Sequence, residues 1–282
     1  MDQNIPLHYI HSALLEDIGE GDHSTLSCID ADARGKAILK IKEKGVIAGI
    51  EIAKEIFLLK DEHAEFEMFL RDGDAVEPGQ VAFEVYTKVH VILQCERLVL
   101  NIMQRMSGIA TLTRKYVEQL TGYNTRLLDT RKTTPNFRWF EKKAVAIGGG
   151  YNHRMGLYDM IMLKDNHIDF CGSIEAALKM ANDYVSSNKP GLKIEVETRN
   201  LEEVNRVLQF GGADRIMLDN FTPELLKEAV SLIGGRVETE ASGGITLDNL
   251  KQYAASGVDF ISCGAIIHHA VSMDLSLKAM IQ

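Results

Sequence analysis

Five basic side chains lie within one stretch of this chain, and together they could bind a small molecule that carries several acidic groups. They are Arg131, Lys132, His153, Arg154 and Lys164. The chain as a whole is acidic, with a formal net charge of -9, and a cluster whose sign opposes the global charge usually marks a ligand site. Arginine offers a planar fork for carboxylate or phosphate oxygens, whereas lysine acts as a point charge.

The alternative is that these cations form surface ion pairs with Asp129, Glu141 and Asp165, since exposed pairs are common and contribute little energy. The sequence between them favours a binding loop instead. Three successive glycines, residues 148–150, precede Tyr-Asn-His-Arg, and glycine lets a backbone approach a ligand more closely than a β-carbon allows. The pattern therefore predicts an anion-binding active site.

The composition excludes several classes of protein. The 282 residues are 45% hydrophobic and 25% charged, with no run of about 18 consecutive apolar residues, so we expect a soluble protein without a membrane span. The N-terminus lacks a basic stretch before an apolar core, which makes the cytoplasm the expected location. The acidic balance argues against nucleic acid as a partner. No Cys-x-x-Cys pair occurs, which argues against a zinc site or a disulfide framework.

The first part of the chain mixes helix and strand patterns in a way typical of a compact α+β domain. We expect a helix over residues 7–18, strands over 36–42 and 82–93, a tight turn at 72–79 between them, and one or two helices over 91–120. This domain, an α/β sandwich-like unit, is predicted to span residues 1–110. A C-terminal helix over residues 269–282 is expected to pack on it.

From residue 125 onward, short apolar strands alternate with amphipathic helices, a pattern that requires a parallel sheet with helical crossovers. Strands are predicted at 126–130, 160–164, 193–197, 215–220, 237–242 and 260–265, and helices at 174–186, 201–209, 223–232 and 247–255. About six such strands would form an incomplete β/α barrel over residues 111–268, short of the usual number. An open doubly wound sheet is the structural alternative.

Polar residues at the C-terminal ends of these strands favour the barrel, because α/β barrels build their sites from that rim. The strand ends carry Lys132, Lys164, Glu197, Asp219, Ser242 and Gly264, among others. Individually, Glu197 or Asp219 could cap the following helix, and Ser242 could be a turn residue. Capping or turn formation alone does not explain why every predicted strand ends in a residue of this kind.

The last two strands run into glycine-containing loops, residues 241–245 and 262–265, ahead of helical segments. Helix entrances of this kind expose backbone N–H groups and suit phosphate. Glu197 and Asp219 could ligate Mg²⁺ or accept hydrogen bonds from ribose hydroxyls, because hard cations and hydroxyl donors both prefer oxygen. The residues alone predict an enzyme acting on a phosphorylated, acidic small molecule, and they point to glycosyl or phosphoribosyl transfer.

The ordered motifs resemble those of the quinolinate phosphoribosyltransferase family over essentially the whole chain. They are EDIGEGD at 16–22, ERLVLN at 96–101, SGIAT at 107–111, DTRKT at 129–133, GGGYNHR at 148–154, LKDNH at 163–167, IEVE at 194–197, LDN at 218–220, ASGG at 241–244 and SCGA at 262–265. The resemblance implies an incomplete barrel of the type II phosphoribosyltransferase kind. It also implies transfer of phosphoribosyl from phosphoribosyl pyrophosphate to quinolinate with decarboxylation, giving nicotinate mononucleotide, pyrophosphate and CO₂ in de novo NAD biosynthesis, with Mg²⁺.

The resemblance also implies roles for individual residues. The quinolinate carboxylates would contact Arg131, His153, Arg154 and Lys164, with Lys132 nearby. Glu197 and Asp219 would contact the ribose and Mg²⁺, and with Lys132 and Lys164 they form the expected catalytic set. The 5′-phosphate region would comprise Ser242, Gly243, Gly244, Gly264 and His268, and the substrate-binding set adds Thr130, Ser262 and Ala265. Arg97 would serve the neighbouring site of a homodimer with shared active sites, or of a higher oligomer.

Other functions fit parts of the pattern. A same-fold phosphoribosyltransferase could use a different acidic acceptor, such as nicotinate, although nicotinate needs fewer cations than the chain offers. Paralogues associated with molybdate transport share the fold. The turn at residues 72–79 resembles the hairpins of lipoyl-type carrier domains, but it lacks a lysine at its tip.

Overall fold

The computed structural model describes residues 5–280 of the chain. In this part the strands are β1 (Arg34–Ile41), β2 (Gly45–Val46), β3 (Glu65–Met68), β4 (Ala75–Val76), β5 (Val81–Lys88), β6 (Arg126–Leu128), β7 (Ile161–Leu163), β8 (Ile194–Thr198), β9 (Arg215–Asp219), β10 (Glu238–Ser242), β11 (Phe260–Ser262) and β12 (Leu275–Met280). The helices are α1 (Leu7–Ile18), α2 (His23–Cys28), α3 (Ile50–Lys60), α4 (Val89–Gln119), α5 (Arg138–Ile147), α6 (Asp165–Cys171), α7 (Ile174–Asn188), α8 (Leu201–Phe210), α9 (Pro223–Ile233), α10 (Leu250–Ala254) and α11 (Ala265–His268).

The chain forms two compact units, and one of them is discontinuous in sequence. The first unit contains the chain up to residue 114, residues 133–149, and the chain from residue 267 onward. The second contains residues 115–132 and 150–266. The expected boundary between residues 110 and 111 lies close to the end of the first segment of this unit, at residue 114. The expected division did not include residues 133–149, the segment that carries α5, in the first unit.

The first unit is built on an antiparallel sheet with the strand order β12-β1-β5-β3, and β2 pairs separately with β4. Alternation of side chains along the strands makes one face apolar. Leu39 and Ile41 of β1 are fully buried, as are Phe83 and Val85 of β5. The structure ends the strand expected over 82–93 at Lys88, because the single long helix α4 starts at the next residue.

The C-terminal segment is a strand, which corrects the helix expected over residues 269–282. β12 pairs antiparallel with β1, from Leu275 opposite Ile41 to Met280 opposite Lys36. Leu275 and Leu277 are buried while Lys278 is exposed, which is the period-two pattern of a strand with one apolar face. Residues 281 and 282 of that expected helix lie outside the described part of the chain.

The second unit contains six parallel strands in the order β6-β11-β10-β9-β8-β7. Apart from the seam between β6 and β7, each strand lies beside its neighbour in the chain, and β11 returns to β6. This cyclic order is that of a barrel with one open seam, whereas a doubly wound sheet reverses its strand order part-way across. The expected fold class, an α+β unit with an incomplete six-stranded β/α barrel, is confirmed.

Three of the crossover helices, α7, α8 and α9, begin at side chains that accept hydrogen bonds from their first backbone N–H groups. Ser173 accepts a hydrogen bond from the N–H of Ala176 at 3.1 Å before α7, and Asn200 does so from Glu203 at 2.9 Å before α8. These caps lie after the C-terminal ends of the strands. The loops in between carry the residues expected to form the site.

Among the described residues, no helix is both long enough and apolar enough to cross a membrane.

Candidate active site

Every strand of the second unit ends in residues that the sequence predicted for the site. Because the strands are parallel, their carboxyl ends meet at one rim. Three of the strands end in a predicted residue: Ser262 ends β11, Ser242 ends β10, and Asp219 ends β9. Glu197 is the last residue but one of β8. The other predicted residues follow their strands: Thr130, Arg131 and Lys132 after β6, Gly264 and Ala265 after β11, Gly243 and Gly244 after β10, and Lys164 after β7. His153 and Arg154 lie in the segment before β7.

Three of the cations at this rim, Arg131, Lys132 and Arg154, are not used up in ion pairs among the described residues. Arg131 and Lys132 are exposed, and no ion pair joins either to a carboxylate among residues 5–280. Arg154 is buried, and its Nη1 donates to the carbonyl of Met160 at 3.2 Å. Burial, followed by the charge of Arg131, lowers the pKa of Arg154. The backbone segments of the two arginines lie side by side, because Tyr151 pairs with Leu128, and two arginines on adjacent segments suit an anion with more than one negative charge.

The carboxylates first considered as surface partners of these cations have other contacts. Asp129 is buried and accepts hydrogen bonds from Asn152 Nδ2 at 2.6 Å and from the His153 backbone N–H at 2.8 Å. Glu141 is buried within the first unit, where it pairs with Arg105 at 2.8 Å. Asp129 therefore shapes the segment that carries the cations.

Two half-buried carboxylates occupy the part of the rim formed by β8 and β9. Glu197 Oε2 lies 3.5 Å from Lys164 Nζ. Burial raises the pKa of Glu197, the negative charge of Asp219 adds to that rise, and Lys164 opposes it. Asp219 accepts hydrogen bonds from the hydroxyl of Ser242 and from Asn220 Nδ2. The pair offers the hard oxygen donors that Mg²⁺ prefers.

The loop after β10 requires glycine at one position. Gly243 has a φ of +93°, and a β-carbon there would collide with the side chain of Asn220. The backbone at Gly243 thus lies against the residue that follows Asp219. This loop is not a helix entrance, in contrast to our expectation, because α10 starts only at Leu250. Gly264, by contrast, directly precedes α11.

A cluster of buried ionisable side chains lies one layer inside the rim, and the sequence reasoning missed it. Alternate residues of a strand share a face, so Glu195 stands beneath Glu197 on β8, and Glu240 stands beneath Ser242 on β10. His153 Nε2 lies 3.0 Å from Glu195 Oε2 and 3.3 Å from Glu240 Oε2. The alternation of acidic residues in IEVE was the signal that could have revealed it.

Arg215 of β9 completes the cluster from the strand between the two acids. Its Nη1 donates to Glu240 Oε2 at 2.9 Å, and its Nη2 donates to Glu238 Oε2 at 3.0 Å. Burial raises the pKa of Glu195, and Glu240 adds to that effect. For Glu240, burial is outweighed by His153 and Arg215, which lower its pKa. The two neighbouring acids are thus driven towards different protonation states.

Two influences act on the protonation of His153, one on the charge of the whole ring and one on Nδ1 alone. Burial lowers the pKa of the ring, but Glu195 and Glu240 outweigh burial and raise the pKa to about 9. The backbone N–H of Arg154, however, donates to Nδ1 at 2.6 Å, and a nitrogen that accepts a hydrogen bond does not carry a proton. Both influences favour a proton on Nε2, the atom that faces the carboxylates.

The donor atoms of His153, Glu195 and Glu240 lie within 4.8 Å of one another, close enough to surround a metal ion. The local geometry opposes this use. A metal at Nε2 would leave Nδ1 to carry the ring proton, and Nδ1 already accepts the Arg154 N–H. Arg215 also brings a positive charge onto Glu240. Glu197 and Asp219 are the better candidates for a metal.

Two predicted site residues fall in the first unit. Arg97 is exposed on α4 and forms no ion pair or hydrogen bond within the part of the chain that the structure describes. His268 ends α11, is exposed, and has its ring 4.4 Å from that of His269, edge to face. The other predicted residues belong to the second unit.

Comparison with known proteins adds to this geometry. Residues 109–278 match the sequence model of the quinolinate phosphoribosyl transferase C-terminal domain, and residues 22–107 match that of the N-terminal domain. The chain belongs to the quinolinate phosphoribosyltransferase family. The two matches cover both structural units and all of the site residues considered above.

Relatives of this quinolinate phosphoribosyltransferase family member are similar over most of their length. A chloroplastic nicotinate-nucleotide pyrophosphorylase [carboxylating] of Oryza sativa subsp. japonica is 44% identical over 95% of this chain and 76% of its own. A probable enzyme of the same name from Bacillus subtilis (strain 168) is 44% identical over 93% of this chain and 89% of its own. The crystal structure of NadC from Streptococcus pyogenes covers 100% of both chains with 38% identity and a TM-score of 0.91.

Proposed function

We propose that this protein transfers the phosphoribosyl group of phosphoribosyl pyrophosphate to quinolinate, with decarboxylation to nicotinate mononucleotide. Family membership supports the reaction class. The observation that carries the choice of acceptor is that the segment of Arg154 lies beside that of Arg131 and Lys132, since Tyr151 pairs with Leu128 and the His153 N–H donates to Asp129. Quinolinate has two adjacent carboxylates, and an unpaired cluster of cations on an otherwise acidic protein suits such a dianion.

The acceptor end of the site has to orient the pyridine nitrogen. Arg131 and Arg154 would hold the carboxylates, with Lys132 and Lys164 on either side of them along the rim. Alignment of the nitrogen with the anomeric carbon lowers the barrier, since a fixed geometry replaces a bimolecular encounter. Departure of pyrophosphate leaves a ribose with oxocarbenium character, which oriented protein dipoles stabilise.

The donor end of the site would bind the sugar phosphate. Glu197 and Asp219 would accept hydrogen bonds from the ribose hydroxyls. The loop at Ser242, Gly243 and Gly244 and the backbone at Gly264 would receive the 5′-phosphate, because exposed N–H groups favour an anion. We propose that Glu197 and Asp219 also hold Mg²⁺ that accompanies the donor; when bound, the ion neutralises charge on the pyrophosphate.

Decarboxylation needs little from the protein. Once the ring nitrogen bears the ribose it is cationic, so it stabilises the electron pair left on the adjacent carbon when CO₂ departs. The carbon then takes a proton, giving nicotinate mononucleotide. The cations of the rim need only orient the departing 2-carboxylate, and the proposal includes no covalent enzyme intermediate.

The proposal extends to assembly and location. Arg97, which is exposed and unpaired among the described residues, suits a homodimer in which it completes the partner's site. Higher assembly remains compatible with this arrangement. The proposed location is the cytoplasm, where cysteines stay reduced, and the four cysteines are free in the structure: Cys28, Cys95, Cys171 and Cys263.

The test is a direct assay with two acceptors. The protein is incubated with phosphoribosyl pyrophosphate and Mg²⁺ plus either quinolinate or nicotinate, and nicotinate mononucleotide and CO₂ are measured. We expect turnover of quinolinate and a kcat/KM for nicotinate lower by about 10- to 100-fold or more, because each lost charged hydrogen bond is worth about 1.5 to 3 kcal/mol. Comparable use of nicotinate would overturn the choice of acceptor.

A further inference from the structure

The buried cluster beneath the rim is unusual for the inside of a barrel, where branched apolar side chains normally pack. Glu195 and Glu240 have no exposed side-chain surface, and His153 has 5%. Neither oxygen of Glu195 is aligned for a hydrogen bond with any group among the described residues, and neither is Nε2 of His153, despite the short distances. Burying charged groups with imperfect partners costs free energy, so this arrangement requires an explanation.

His153 is fixed on three sides. Its backbone N–H donates to Asp129 at 2.8 Å, its Nδ1 accepts the N–H of Arg154 at 2.6 Å, and its Nε2 faces the two carboxylates. Both ring nitrogens are therefore directed at protein groups. A direct contact from either nitrogen to an acceptor molecule would require the ring to turn.

The residue that depends on this anchoring is Arg154. Its guanidinium is repelled by Arg131, is attracted by Glu195 and Asp159, and donates to the carbonyl of Met160. The backbone N–H of Arg154 donates to the His153 ring, and Nε2 of that ring faces Glu195 and Glu240 at 3.0 and 3.3 Å.

We propose that Glu195 and Glu240 are positioning residues, which lock the His153 ring and through it keep Arg154 beside Arg131 for an acceptor with adjacent acidic groups. This inference rests on the proposed function and deepens it. The acids stay beneath the rim and do not touch the substrate. Carboxylate oxygens of both acids face Nε2, so the ring cannot rotate towards the rim without leaving Glu195 buried with no partner, whereas Glu240 keeps its hydrogen bond from Arg215.

The test uses isosteric changes that remove charge and retain shape. Glu195→Gln and Glu240→Gln are compared with the wild type and with the control Glu203→Gln, which alters a buried acid of α8 that pairs with Arg199. KM and kcat are measured separately for quinolinate and for phosphoribosyl pyrophosphate. The ¹⁵N signals of the His153 ring are recorded in histidine-labelled protein, with assignment by His153→Leu.

We expect either substitution at the cluster to raise the KM for quinolinate by about 10- to 100-fold, the range typical of misplaced binding groups, with little change in the KM for phosphoribosyl pyrophosphate. The Nε2 signal should shift in both variants, whereas Glu203→Gln should alter neither property. In a His153→Leu background, Glu195→Gln should have much less effect on KM, because residues that act through one another are not additive.

The proposal is overturned if the ring signals stay unchanged, if both substrates are affected alike, or if the effects of Glu195→Gln and His153→Leu simply add. If one variant does not fold, the other still decides, since each acid faces the same ring atom. Failure of the proposed function has a different signature, in which the wild type shows the ring signals but forms no mononucleotide from quinolinate.

Discussion

The ammonium group of Lys164 lies 3.5 Å from the carboxylate of Glu197, and the two residues belong to the ends of neighbouring strands β7 and β8. This contact joins the cationic part of the rim to its acidic part. Lys164 is half exposed while Glu197 is mostly covered, so the lysine can exchange its carboxylate partner for a substrate anion without opening the core.

Replacement of Lys164 or Lys132 by alanine should lower kcat/KM by about 10- to 100-fold, the effect of losing one charged hydrogen bond in the transition state. Both side chains are exposed, so the midpoint of thermal unfolding should hardly change. Lys179→Ala provides the control, because Lys179 pairs with Asp183 on the surface of α7. Near wild-type kcat/KM in either site variant would refute the role of that lysine.

Glu197→Ala and Asp219→Ala should weaken binding of phosphoribosyl pyrophosphate with Mg²⁺ more than binding of quinolinate. Carboxylates attract hydroxyls and metal but repel a dicarboxylate, so quinolinate affinity should stay the same or increase. Calorimetry with each ligand measures the two effects separately. Glu228→Ala, an exposed acid on α9, is the control. Lost quinolinate affinity with intact donor binding would reverse the assignment.

The stability of the protein should depend on the protonation of His153. The folded protein raises the pKa of the ring from 6.5 to about 9, so the stabilisation is fully present below about pH 6.5 and is lost as pH rises to about 9. A loss on the order of 2 to 3 kcal/mol is expected over this range.

Urea unfolding of the wild type and of His153→Gln at pH 6 and pH 9 measures this effect. The glutamine keeps an N–H near the two acids but does not titrate, so the variant should lack the difference. An equal pH dependence in both proteins would show that the ring does not change its protonation between pH 6 and pH 9.

Arg97 should act in the site of the partner subunit. Arg97→Ala and Lys132→Ala should each keep about a tenth of wild-type activity or less, and co-refolding an equal mixture should make about half of the dimers heterodimers. In each heterodimer one site would carry both changes and the other neither, so activity should rise to about a quarter of the wild-type value. A mixture no more active than the two variants by themselves would place Arg97 in the site of its own chain.

The sequence predicted the strands of the barrel because short extended segments alternate with amphipathic helical patterns along the second half of the chain. The strand expected at 215–220 is Arg215–Asp219, and that expected at 237–242 is Glu238–Ser242. The rim residues were found for the same reason, since chain order and strand direction are enough to bring them to one edge.

The parts that could not be predicted depend on contacts between distant residues. β12 has too few residues to show whether its pattern is that of a strand or a helix, and its state is decided by pairing with β1, which lies more than 200 residues earlier. The buried cluster is similar: Glu195 and Glu240 resemble ordinary strand acids in sequence. Only the barrel brings them to the same imidazole.

The pairing of β12 with β1 constrains how the protein can be made. The first sheet needs residues 275–280, which are synthesised after the whole of the second unit. While the chain emerges from the ribosome, β1 has a free edge until residues 275–280 have been made, and an unpaired strand edge invites pairing with other chains. The barrel, whose segments are all synthesised earlier, can fold first. A chain that ends before Leu275 would lack the whole of β12 and remain prone to aggregation.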